Sequence, residues 1–399
     1  MIPNIGALGR WHRLKISAQS WSWREPGLCS ARLGATIVRF ALPSRPPAPF
    51  FFLLLALSVL APVRAAAQSQ NNFAYGPLPV FELHSGFWIN LHHTLYHEAR
   101  QRTAAASLNK SAGPALHTVP DAKPVLPPAE QPIWDEAVAY YVSNYAAKDL
   151  LFSSELIQLK DQLGDFEDCD ELSGRKRKFC DAGLPAKLTQ VLEAAAPVYR
   201  AHLWPDHDRA NRRWIMRVAP LVREQGVGLS ERLADIYQTR WPREKIRVDV
   251  TGYANWTGAY TTADPLRVTI SSLDSRNQGV EALEVLFHEG SHGIAEPVQA
   301  AIIRECRQRD KAIPRDLWHA LVFYTTGEVI RPVLGSSGAT AGDQDNGSVP
   351  GGYTPYAVRE GLYQRGWNEY FKLLQKFWQP YLDGRASFDD AIARMVSSL

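Results

Sequence analysis

The sequence predicts an α+β protein, predominantly helical, with a small β-sheet placed just before its most informative helix. Three observations predict it. From Trp134 to Trp241 apolar residues recur at three-to-four spacing with short breaks, the period of helices that bury one face. Two short stretches, Lys245–Thr251 (KIRVDVT) and Leu266–Ser272 (LRVTISS), alternate polar and β-branched residues as half-buried strands do. Apolar residues make up 45% of the 399 and charged ones 21%, so the chain can build a core and is neither disordered nor fibrous.

The N-terminal residues set compartment and charge. Phe50–Leu60 (FFFLLLALSVL) is an uninterrupted apolar run, preceded by Arg39 and Arg45 and followed by Ala65-Ala66-Ala67. A basic flank, a short apolar core and a small-residue site make a secretory signal, and the run is too short to span a bilayer. The expectation is an exported protein with no stable membrane insertion after signal cleavage. Residues 1–35, rich in Trp and Arg without any period, read as an over-extended start. Residues 1–67 hold eight of the 44 Lys and Arg but one of the 41 acids, so the remainder carries 36 cations against 40 acids, a net −4. Nucleic-acid binding needs a basic domain and is excluded as an expectation. Export also permits disulfides. Cys169 and Cys180 bracket a short charged loop and are expected to pair, leaving Cys306 as a buried thiol; Cys29 lies in the N-terminal preface.

Beyond the signal, residues 68–133 hold an extended stretch, a helical patch from Phe87 to Arg102, and a connector rich in proline (Pro120, Pro124, Pro127, Pro128, Pro132). Residues 134–244 form the helical region. Trp134–Ala147 carries an aromatic stripe, Ser153 or Ser154 can cap Leu156–Leu163, and Pro185–Leu203, Asp208–Val222 and Ser230–Trp241 follow. Residues 245–399 begin with the two strands, with Gly258–Thr262 as a candidate third. They continue with helices at Val280–Ile294 and Pro314–Leu334, a Gly/Ser/Asp-rich loop at 335–352, and a final helix marked by Trp367, Phe371, Leu374 and Trp378.

The chemistry is concentrated in Val285-Leu-Phe-His288-Glu289-Gly-Ser-His292-Gly-Ile294. Two His four apart on a helix share one face, with side chains about 6 Å apart, so their imidazoles can converge on one ion. Glu289, one position on, is rotated to the side, where it can hold and deprotonate a water. Zinc takes a third protein ligand in such sites. Glu296 is excluded, because on one continuous helix it would stand about 12 Å from His288. Glu328 is the favoured ligand: a lone acid in an apolar helical pattern must be paired or metal-bound. Glu305, among Arg304, Arg307 and Arg309, reads as solvated. Tyr324, four residues before Glu328 and on its face, could donate to a developing oxyanion. His319 reads as an oxyanion donor, a neighbour of the metal, or a satisfied core histidine. His93 and His97 also have ligand spacing, with a packed helix as the default, and Tyr356 reads as a packed turn residue.

On His288–His292 and Glu328 the chain resembles the zincin metallopeptidases, and within them the gluzincin arrangement of HExxH plus a downstream Glu. Glu328 lies 36 residues after His292, without an NExxSD-like signature around it. The resemblance implies a zincin-like core over residues 245–399, a zinc ion held by His288, His292 and Glu328, and Glu289 as general base. It also implies a peptide or protein substrate lying antiparallel to a strand that precedes the zinc helix, which Gly258–Thr262 or Leu266–Ser272 could supply. The competing expectation is a non-catalytic exported binding protein with a structural or vestigial zinc site, in which Glu289 has no role.

Overall fold

Two buried apolar clusters lie against a four-stranded sheet in the computed structural model, which describes residues 78–108, 126–336 and 352–399. The expected signal segment, Cys29, Pro120, Pro124 and all but the ends of the 335–352 loop lie outside the described residues. The first cluster is built on helices α1 (Phe87–Leu108), α2 (Gln131–Asn144), α3 (Ser154–Asp165) and α4 (Ala186–His202). Ser153 caps α3 by accepting the Leu156 N–H, satisfying one of the amides a helix start leaves without a partner.

Helix α5 (Trp204–Ile236) spans what the sequence divides into two helices. The expected break between Val222 and Ser230 does not occur, because Gly226 is where α5 meets the chain entering the sheet. A Cβ there would lie 3.1 Å from Val80 and 3.3 Å from Pro79, so glycine serves close packing inside the helix.

The sheet joins β1 (Phe81–His84), β2 (Ile246–Thr251), β3 (Ala259–Ala263) and β4 (Leu266–Ser271) in the order β1-β2-β4-β3. β1, β2 and β4 run parallel, with Val248 opposite Leu83 and Val268, and β3 returns antiparallel to β4 as an edge. Alternation sets the faces. Ile246, Val248, Val250, Val268 and Ile270 point into the second cluster, against α5 and α6 (Gly279–Ser291). The opposite face is polar, yet it too is buried. Asp249 and Thr269 are fully buried beneath α1 and α3, Arg247 pairs with Asp249 and Glu167, and buried Lys160 reaches Asp161 at 3.1 Å. The sequence pattern marks this face as solvated; the structure covers it and satisfies it with ion pairs, as buried charge requires.

Helix α7 (Glu296–Gln308), α8 (Leu317–Ser336) and a helical run from Tyr356 to Leu382 complete the second cluster, followed by a last helix at Phe388–Ser397. The run includes π-helical turns at Tyr363–Trp367 and Leu374–Trp378, with Leu374 and Trp378 fully buried as their spacing predicts. Cys169 and Cys180 form the expected disulfide and Cys306 is a buried free thiol. Among the described residues no helix is long and apolar enough to cross a membrane. The α+β, mostly helical class with a small mixed sheet is thus observed.

Candidate metal centre

Every residue of α6 from Ala282 to Ser291 is buried, because the helix lies between the apolar sheet face, α5 and α8. Gly290 permits the approach: a Cβ there would stand 2.8 Å from Trp241 Cη2 and 3.4 Å from Phe81 Cζ. The helix ends at Ser291, and His292 caps it with helical dihedrals (φ −57°, ψ −32°). His288 and His292 therefore keep their one-turn relation, while Glu296 opens the next helix, α7.

The third group to arrive is His319, from the first turn of α8. Its Nε2 is 3.4 Å from His288 Nε2, which is 3.3 Å from His292 Nε2. All three residues offer one ligand atom within 4.8 Å of the others. Two imidazole nitrogens bound at about 2.05 Å to one tetrahedral ion lie about 3.3–3.4 Å apart, so both short separations match a shared ion. A direct hydrogen bond would be shorter, near 2.9 Å. The group could hold a metal ion. Around it the wall is aromatic: Phe323 stacks on His288 at 3.7 Å, Trp318 stacks on His319 and meets His292 edge-on, and Trp367 closes on His319 at 5.5 Å.

Burial in that wall pushes all three imidazoles down. His288 falls well below its ordinary value, helped by its two neighbours, His292 falls to about 3, and His319 to about 4. They are neutral at physiological pH, the form in which imidazole ligates a cation. His288 Nδ1 has no hydrogen-bond partner among the described residues, a departure from the usual arrangement in which the second ring nitrogen is held by a carboxylate or carbonyl.

Glu289 sits beside the group, with Oε2 4.0 Å from His292 Nε2. Burial raises its carboxyl to about 7, and the Thr261 hydroxyl partly opposes the shift by donating to Oε2 at 2.5 Å. Thr261 also lies 2.9 Å from the Glu289 carbonyl oxygen, so the edge strand is tied to this residue twice. Its neighbours on β3 are tied elsewhere. Tyr260 OH meets His93 Nε2 of α1 at 3.0 Å, and Thr262 accepts from Lys160 of α3 at 2.6 Å.

Glu328, expected as the third ligand, is not brought to His288 and His292. Nine residues beyond His319 on α8, it lies about 13.5 Å further along and half a turn round the helix. Its carboxylate pairs with Arg331 at 2.7 Å and lines a separate cavity of about 300 Å³. Tyr324 faces the same cavity and donates to Gln379 Oε1 at 2.7 Å, away from the imidazoles. The lone-acid pattern correctly implies a partner for Glu328, and an arginine three residues on supplies it. His319 was legible as a metal neighbour, but burial reasoning favours an acid over a histidine. Thr261 carried no sequence signal beyond its place in a candidate strand.

The remaining candidates are packed. Glu305 is buried and held by Arg309 rather than solvated. His93 bonds the Ile89 carbonyl and Tyr260, and His92 meets Tyr141 OH at 2.9 Å. Tyr356 stacks near Phe323 and gives its backbone N–H to Glu284. Comparison of the chain with protein-family models, curated proteins and solved structures gave no match.

Proposed function

We propose that the protein is an exported zinc-dependent hydrolase, a metallopeptidase with a zincin-like core, whose ion is held by His288, His292 and His319. The observation that carries this reading is the convergence of three neutral imidazoles, with His288 Nε2 lying 3.3 Å from His292 Nε2 and 3.4 Å from His319 Nε2, beside a buried carboxylate. Structural zinc sites are closed by four protein ligands, whereas three-ligand sites leave a position for substrate or water. Zinc, when bound, supplies Lewis acidity toward a carbonyl oxygen and toward water.

The chain's own residues supply the rest. Glu289 accepts and returns a proton, since its buried carboxylate stands 4.0 Å from His292 Nε2 at the edge of the imidazole group. Thr261 fixes Oε2, leaving Oε1 without a hydrogen bond among the described residues. Phe323, Trp318 and Trp367 keep the surroundings apolar, which strengthens every charge interaction inside them. The antiparallel edge strand β3 beside α6 is the element against which an extended peptide substrate would lie. Tyr324 has no part in this scheme, and His319 enters it as a ligand.

The test is metal content by mass spectrometry together with casein and peptide hydrolysis. The expected result is one zinc per chain, and Glu289→Gln that retains zinc and loses turnover. Unchanged turnover in Glu289→Gln removes the catalytic reading and favours a structural or vestigial site.

A further inference from the structure

The loop closed by the Cys169–Cys180 disulfide carries four consecutive cations, Arg175, Lys176, Arg177 and Lys178, followed by Phe179, and all five side chains are exposed. Phe179 is 73% exposed, so the loop presents one large aromatic ring to solvent directly beside its four cations. Arg175 pairs with Glu193 at 2.5 Å; Lys176, Arg177 and Lys178 have no ion-pair partner among the described residues.

The backbone beneath this tip is held firmly. Ser173 bridges Asp181, the Ala182 N–H donates to the Leu172 carbonyl, and Glu193 accepts the N–H groups of Leu172 and Ser173 at 3.0 Å each. Buried Glu171 accepts the N–H groups of Lys176 and Arg177, so its charge is turned inward. The exposed acids of the segment, Asp168, Asp170 and Asp181, stand at the base of the loop. The tip itself is therefore purely cationic and aromatic, and it is pre-shaped.

We propose that this loop docks on an anionic phospholipid surface, with Lys176, Arg177 and Lys178 against lipid phosphates and Phe179 in the headgroup layer. Cations paired with an aromatic ring are what interfacial segments use, because the ring leaves water while the charges stay at the phosphate plane. The four cations stand on one short loop, and the exposed ring of Phe179 beside them adds the apolar group that an interfacial segment buries and an acidic polymer would leave in water. The proposal does not depend on the metal centre.

Each basic side chain reaching an anionic surface raises partition about fivefold, so three together are worth roughly a hundredfold. The oxidised full chain is tested by co-sedimentation with vesicles of equimolar phosphatidylglycerol and phosphatidylcholine, and with phosphatidylcholine alone. The expected result is binding to the anionic vesicles only, weakened at about 0.5 M salt, where screening shortens to about 4 Å. The triple variant Lys176→Glu/Arg177→Glu/Lys178→Glu, which removes three attractive charges and adds three repelled ones, should lose at least about a hundredfold in partition, and Phe179→Ser should weaken the binding that survives salt. Unchanged melting curves show that both variants fold. No sedimentation of the wild type with anionic vesicles at low ionic strength overturns the proposal. So does a triple variant that binds like the wild type, or capture by heparin without capture by vesicles, which would assign the tip to an acidic polymer.

Discussion

Glu284→Gln should abolish a pH dependence of stability that the fold builds in one turn before His288. Glu284 is 1% exposed and receives the Tyr353 hydroxyl at 2.6 Å and the Tyr356 N–H at 2.9 and 3.0 Å. Burial outweighs these bonds and raises its carboxyl from 4.5 to about 7. The folded chain therefore keeps a proton that the unfolded chain releases. For an acid shifted in this direction, stability is greatest below pH 4.5, falls as pH rises through the window to about 7, and is flat above it. A shift of about 2.5 units corresponds to about 3 kcal/mol across that window. Glutamine keeps the geometry, since its carbonyl can accept the Tyr356 N–H and its amide can face the Tyr353 oxygen, but it never ionises. Urea unfolding of the metal-free chain at intervals from pH 4.5 to 8 gives the two curves, and their difference isolates Glu284 from Glu289 and the histidines, which titrate in both. The variant should gain on the wild type by about 3 kcal/mol from the acid end to the neutral end. Parallel curves would refute the reasoning.

His319→Ala should lose stoichiometric zinc while Glu328→Gln retains it, read by metal content after dialysis; the reverse would restore the acid as the ligand. Thr261→Val should leave zinc in place and lower kcat by roughly ten- to a hundredfold, the worth of a hydrogen bond to a charged group, measured by peptide hydrolysis. Breaking the disulfide by Cys169→Ser/Cys180→Ser should cost roughly 3 kcal/mol for a sequence separation of 11, seen in urea unfolding, with zinc content unchanged.

The parts of the fold that local patterns control were legible. Most helix positions followed from apolar period, two strands from alternation, and the disulfide from spacing and compartment, whereas α7 and the last helix, Phe388–Ser397, were not foreseen. What the sequence hid depends on long-range placement. β1 is four residues whose strand character comes only from pairing with Ile246–Asp249, far along the chain. The single helix α5 persists through Gly226 because a distant segment packs there. At the site, HExxH fixed His288, Glu289 and His292, since their relation is set by one helical turn. The third ligand depends on how α8 is rotated against α6, and no residue spacing encodes that rotation. Burial chemistry then pointed to the lone acid, which had found Arg331 instead.

The three consecutive anchors of β3 have a consequence for anyone hoping to excise the histidine-bearing half as a portable module. Its edge strand is buttoned to His93, Glu289 and Lys160, which come from three separate stretches of sequence. A fragment starting at residue 245 would forfeit two of those buttons and strip β1 from the far border of the sheet, leaving both borders ragged. Recombination or engineering must move the early helices together with the metal-binding ones.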